Sequence, residues 1–158
     1  MLQALARQPE GFLSSVVFGQ RLLVLSDAHV GATPSEVEES LLAFLERAPT
    51  LGDCLLLNGD IFDFWFAYSR LIPRVGFHVA AEIRRVRKRM PVAMVGGNHD
   101  RWGEDFWERD LDVRFAPVRM ELQIGDRRVL AIHGDGVTES HWSAVLLQRI
   151  TRNPAFVT

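Results

Sequence analysis

The strongest constraint on this chain is a recurrence. Four short apolar runs each break off into glycine, histidine and acidic or amide residues. "LLVLS" (22–26) leads into Asp27-Ala28-His29, and "CLLLNGD" ends on Gly59-Asp60. "VAMVGG" (92–97) leads into Asn98-His99-Asp100, and "VLAIHGD" ends on His133-Gly134-Asp135. A continuous apolar run bounded by turn formers is the pattern of a strand buried on both faces.

Between these runs the apolar period lengthens to that of a helix. Before the first helix, Thr33 is read as an N-cap, Pro34 as the first helical residue and Glu36 as the partner completing a capping box. Val37, Leu41, Phe44 and Leu45 then share one face. Residues 76 to 90 form a second helix, with Val79, Ile83, Val86 and Met90 apolar and a run of Arg and Lys opposite, read as a solvated face. "MELQIGDRRVLAIHGD" reads as a hairpin turning at Gly125-Asp126. Ser140 caps a last helix that stops near Pro154 and carries Trp142, Val145, Leu146 and Ile150. Strands alternating with helices imply βαβ units and a layered α/β fold.

Composition narrows the function classes. A length of 158 residues suits one domain with its own core, and 47% apolar with 24% charged residues describes an ordinary globular chain. A net charge of −2 supplies no global basic field for nucleic acid or an anionic membrane. Cys54 is the only cysteine, so no intrachain disulfide forms. No apolar stretch approaches the ~20 residues that span a bilayer. Residues 1–20 are read as a ragged leader.

In open α/β sheets ligands gather beyond the carboxyl ends of the strands, so separate stretches of sequence can converge there. Asp, Asn and His offer hard oxygens and borderline nitrogens, suited to Mn²⁺, Fe²⁺ or Zn²⁺. The absence of thiolate clusters argues against a structural zinc site. Two ions ~3.5–4 Å apart on a shared carboxylate would polarise a phosphoryl group, and Asp60 is the candidate bridge. Asp63 reads as structural and His78 as an ordinary helix residue. For Phe62, Phe64, Trp65 and Phe66, core packing and an exposed apolar wall stay open, as they do for Trp102, Phe106 and Trp107.

Asp-x-His, Gly-Asp, Gly-Asn-His-Asp and His-Gly-Asp, in that order over residues 22 to about 137, resemble the calcineurin-like metallophosphoesterase superfamily. "NGDIFDFWFAY" and "HGDG", followed by a helix and "RNP", look like its UDP-2,3-diacylglucosamine hydrolase branch. The resemblance implies an αββα-type layered fold, with β-sheets flanked by helices, over residues 21–139 and the start of a helical lid over 140–158. It implies hydrolysis of the pyrophosphate of a UDP-linked glycolipid to a lipid monosaccharide 1-phosphate and UMP, on the lipid A route. The location implied is cytoplasmic, with peripheral contact to the inner membrane and no nucleic-acid partner.

By the same resemblance, two divalent ions, foremost Mn²⁺, are held by Asp27, His29 and Asp60 and by Asp60, Asn98 and His133. His99 stabilises charge or acts as general acid, with Asp100 orienting it. Asn98, His99, Asp135 and His141 are the candidate substrate contacts. The superfamily's later Gly-His-x-His motif does not occur in these residues. The C-terminal part of the fold is therefore expected to be missing. Two alternatives remain open: a phosphoesterase for another diester or nucleotide, and a non-catalytic binding module on the same fold.

Overall fold

The structure is a computed structural model, and it describes residues 17–68, 70–103 and 105–134. The expected roles of Asp135 and His141, the leader before residue 17 and the helix from Ser140 lie outside the described residues. Four strands form a parallel sheet in the order β1-β2-β3-β4: Leu22–Leu25, Cys54–Asn58, Val92–Val95 and Arg114–Ala116. Helix α1, Ser35–Leu51, connects β1 to β2, and α2, Phe77–Arg87, lies between β2 and β3. Register runs Leu22↔Cys54, Leu55↔Val92 and Ala93↔Arg114 at the strand starts.

Alternate residues of a strand face opposite sides, and the two sides of this sheet bury different elements. Leu55, Leu57, Val92 and Met94 pack with Leu41, Leu45 and Ala48 of α1 and with Val79, Ile83 and Val86 of α2. Leu56, Ala93 and Val95 pack on the other side against Met120, Leu122 and Ala131. Those last residues belong to an antiparallel hairpin, β5 (Arg119–Ile124) and β6 (Arg127–Ile132). Gly125 takes φ 55° in its turn, as the Gly-Asp pair predicts. Helices, sheet and hairpin thus form three layers of the expected fold.

Several local expectations are corrected. The run ending at His133 is a strand of the hairpin, as read, and what the reading did not include is β4, three residues beginning on exposed Arg114, as the fourth strand of the parallel sheet. β1 is an edge strand rather than one buried on both faces, and Val24 is 56% exposed. The Thr33 capping box does not form: the hydroxyl donates backward to the Ala28 and His29 carbonyls at 3.2 and 3.1 Å, and α1 begins at Ser35. Val37, in the first turn of α1, stays exposed, while Leu41 and Leu45 are buried as expected.

The basic run of α2 is more than a solvated face. Arg87 Nε donates to the Asp112 carbonyl at 2.6 Å, and both Arg84 and Arg87 pair with the Asp112 carboxylate at 3.5 and 3.2 Å. These bonds fasten the turn between a π-helical stretch, Phe106–Asp110, and β4 onto the helix layer. The aromatic run divides: Phe62 and Trp65 are buried, while Phe64 is 53% exposed. Trp65 stacks into a cluster with Phe106 and Trp107, at centroid separations of 5.2 and 5.5 Å.

Candidate metal centre

The site is built where β1, β2, β3 and β6 end. Beyond β1 the chain continues alongside the loop after β2: Asp27 N–H donates to Gly59 O at 3.1 Å and His29 N–H to Asp60 O at 3.0 Å. Three of the donor residues, Asp27, His29 and Asp60, hold left-handed backbone with φ of 57°, 44° and 53°. Non-glycine residues avoid this region at a cost of roughly 1–2 kcal/mol each, and such strain gathers at sites that surrounding structure over-determines. Gly59 allows the close approach on which the site depends, since a Cβ there would run into the His133 ring.

Asp60 is 4% exposed and sits at the centre. Its Oδ1 accepts the His99 N–H at 3.1 Å. Its Oδ2 lies 3.1 Å from His133 Nε2 and 3.9 Å from His29 Nε2. One carboxylate oxygen therefore faces two imidazole nitrogens from different strand ends. Two donor sets share this residue: His29, Asp60 and His99, and Asp27, Asp60 and His133, with ligand atoms in each set within 4.8 Å of one another. The sets implied by the resemblance, Asp27 with His29 and Asp60, and Asp60 with Asn98 and His133, overlap these two groups and share Asp60 with them. Asn98 lies half-buried in the turn between the two glycines and His99.

Whether these residues suit a cation can be judged at His133. Its Nδ1 is 2.7 Å from the Asn58 carbonyl, which can only accept, so the ring proton is on Nδ1. A neutral His133 then presents a lone pair to Asp60 Oδ2, acceptor against acceptor. A cation or a second proton between them relieves that contact, and the oxygen and nitrogen donors match the borderline divalent metals. The same logic fixes His99, whose Nδ1 bonds the Asp63 carbonyl and leaves Nε2 for the pocket.

Asp100 meets backbone rather than the His99 ring. It is fully buried, and its carboxylate accepts backbone N–H groups from Gly97 at 2.9 Å, Ile61 at 2.8 Å, Asp60 at 3.3 Å and Phe62 at 3.4 Å. It clasps the loop after β2 to the turn after β3. Burial pushes its carboxyl above the ordinary range, against the pull of those four donors. The residue beside His99 is Asp63, whose Oδ1 lies 3.5 Å from His99 Nδ1 and 3.9 Å from His29 Nδ1. Asp63, which reads as structural from the sequence, stands three residues after Asp60 in the same turn, and that spacing is the signal for its place.

A parallel α/β sheet whose strand ends gather histidines around one shared carboxylate defines a scaffold suited to divalent metal ions. The chain belongs to the calcineurin-like phosphoesterase family, whose model matches residues 20–156. A UDP-2,3-diacylglucosamine hydrolase of Porphyromonas gingivalis is 28% identical over 140 residues, covering 85% of this chain and 53% of that protein. Proteins of the same name from Bordetella parapertussis and Stenotrophomonas maltophilia are each 30% identical over 136 residues, covering 52% and 54% of their lengths. The chain thus spans about half the length of the curated relatives it matches. The crystal structure of Pseudomonas putida nuclease MPE superposes with a TM-score of 0.39 and 21% identity, over 61% of this chain and 47% of that one. Membership of the family implies divalent metal ions. No helix among the described residues is long and apolar enough to cross a membrane.

Proposed function

We propose that this chain carries the metal-binding half of a phosphoesterase that hydrolyses the pyrophosphate of a UDP-linked diacylglucosamine. The observation that supports this reading best is Asp60 Oδ2, aimed between His133 and His29 at 3.1 and 3.9 Å. Asp27, His29, Asp60, Asn98 and His133 are the proposed ligands of two divalent cations, foremost Mn²⁺. When bound, such ions polarise the phosphoryl group and lower the pKa of water.

The chain's own residues supply the rest. His99, fixed through Nδ1 to the Asp63 carbonyl, turns Nε2 to the phosphoryl or leaving oxygen, where the imidazolium form, with both ring nitrogens protonated, donates a hydrogen bond that offsets developing charge. Asp63 holds His99 and His29 in place. Phe64 and Phe66, whose rings lie 5.3 Å apart with Trp102 5.8 Å from Phe64, offer an apolar wall for acyl chains beside the phosphate. A substrate of this kind places the protein at the cytoplasmic face of a membrane.

Calorimetric titration with Mn²⁺, paired with hydrolysis of bis-p-nitrophenyl phosphate, tests the site. Asp60→Asn removes the shared charge and should abolish tight Mn²⁺ binding and any Mn²⁺-dependent turnover; unchanged binding would refute the shared-carboxylate assignment. Comparing UDP-2,3-diacylglucosamine with simple nucleotide diesters decides the substrate, and faster turnover of the simple diesters would refute the lipid reading.

A further inference from the structure

His99 is set up for two jobs that exclude each other. Its Nδ1 bonds the Asp63 carbonyl, which can only accept, so in the neutral ring Nδ1 carries the proton and Nε2 a lone pair. His133 is arranged in the same way, with Nδ1 on the Asn58 carbonyl at 2.7 Å and Nε2 turned to Asp60. A ring that donates from one nitrogen to a backbone carbonyl is the arrangement of histidines that bind metals through the other. His99 is thus prepared as a ligand as fully as His133, although the hydrolytic reading uses it to donate a hydrogen bond.

Its neighbours complete a donor set. The His29 and His99 rings meet edge to face with centroids 4.9 Å apart. His29 Nε2 lies 3.9 Å from Asp60 Oδ2, within the ~4.2 Å that two metal bonds of ~2.1 Å can span. His29, Asp60 and His99 offer ligand atoms within 4.8 Å of one another. Asp63 stands behind both imidazoles, its Oδ1 3.5 Å from His99 Nδ1 and 3.9 Å from His29 Nδ1. This set holds two imidazoles and one carboxylate, whereas Asp27, Asp60 and His133 supply two carboxylates and one imidazole. Imidazole suits Zn²⁺, and carboxylate oxygens suit Mn²⁺.

We propose that His29, Asp60 and His99 form a site for Zn²⁺ that withdraws His99 from the phosphoryl group. A ring nitrogen bonded to a cation has no proton to donate, so an ion held here ties up the one side chain placed to offset charge on the phosphoryl or leaving oxygen. The identity of the metal then acts as a switch. A cation that prefers oxygen leaves His99 free, and one that prefers nitrogen captures it. The site stands on the donor geometry alone, and only its inhibitory meaning rests on the phosphoesterase reading.

Calorimetric titration with Zn²⁺ and with Mn²⁺, on the unaltered chain and on His99→Gln, tests the site together with nitrogen NMR of the histidine rings. His99→Gln should weaken one Zn²⁺-binding event at least about ten-fold and leave Mn²⁺ affinity within about two-fold. In the unaltered chain Zn²⁺ should move the His99 Nε2 resonance to that of a metal-bound nitrogen while Nδ1 keeps its proton. That spectrum needs no variant, so it decides the matter even if His99→Gln fails to fold. No Zn²⁺ binding, a His99 Nε2 resonance unmoved by saturating Zn²⁺, or equal losses of Zn²⁺ and Mn²⁺ affinity in a folded His99→Gln each overturns the proposal. The two readings separate in the same samples. Zn²⁺ on His99 with no Mn²⁺ bound removes the Mn²⁺-dependent phosphoesterase reading alone, and Mn²⁺ binding with His99 Nε2 unmoved by Zn²⁺ removes this one alone.

Discussion

Replacing Asp100 by alanine isolates the buried clasp. The carboxylate satisfies four backbone N–H groups, two of them at 2.8 and 2.9 Å and two longer at 3.3 and 3.4 Å. Each buried donor left without a partner costs about 1–3 kcal/mol. Counting only the two short bonds gives about 2–6 kcal/mol, reduced somewhat because a desolvated charge is removed with them. Against a total stability of about 5–15 kcal/mol that is a large fraction. At about 2 kcal/mol per molar urea, a loss of 3–4 kcal/mol lowers the unfolding midpoint by about 1.5–2 M. Asp100→Asn should fall between, since its one oxygen can serve Ile61 or Gly97 but not both. Urea unfolding followed by tryptophan fluorescence measures this, because Trp65 and Trp107 are fully buried. A midpoint for Asp100→Ala within about 0.3 M of the unaltered chain, with only hydrolysis impaired, would refute the clasp and restore a role in orienting His99.

Three further outcomes follow from the same contacts. Because Asp100's folded pKa stands above its ordinary value of 3.8, its stabilising share is full below that value and lost as pH rises through the folded one. The stability deficit of Asp100→Asn, measured by urea unfolding across that range, should therefore shrink with rising pH. At Asp112, φ 58° is strained and the carboxylate pairs with Arg84 and Arg87 on the surface. Glycine there relieves about 1 kcal/mol of backbone strain while losing exposed pairs worth at most about the same, so Asp112→Gly should melt within a few degrees of the unaltered chain and Asp112→Ala clearly lower. Cys54 is fully buried and its thiol is pushed up to about 11 by desolvation, so it should resist a disulfide reagent at mildly alkaline pH and react on unfolding.

What the sequence made legible was whatever rests on apolar period. β2 and β3 are runs without a polar interruption because both faces of the central strands are covered, and α2 shows its buried stripe at Val79, Ile83 and Val86 as spaced. β4 was illegible because three residues beginning with an exposed arginine carry no period; pairing with β3 makes them a strand. Thr33 failed as a cap because nearby carbonyls, invisible to a local motif, compete for its hydroxyl. At the site the residue types pointed to metal chemistry. The division of labour between Asp63 and Asp100 was decided by long-range contacts, such as Asp100 to Ile61 and Asp63 to His99, that no spacing encodes.

The left-handed residues at 27, 29 and 60 have a consequence for lineages. Their backbone would be held more cheaply by glycine, the one residue that cannot chelate through a side chain. A gene copy released from selection for its chemistry would shed up to roughly 1–2 kcal/mol of backbone strain with a step to glycine at 27 or 29, and each step would dismantle the donor set. At 60 the gain is offset, because the buried carboxylate also accepts the His99 N–H; decay of the site is thus easiest at Asp27 and His29, while Asp60 is held by the fold as well as by its chemistry.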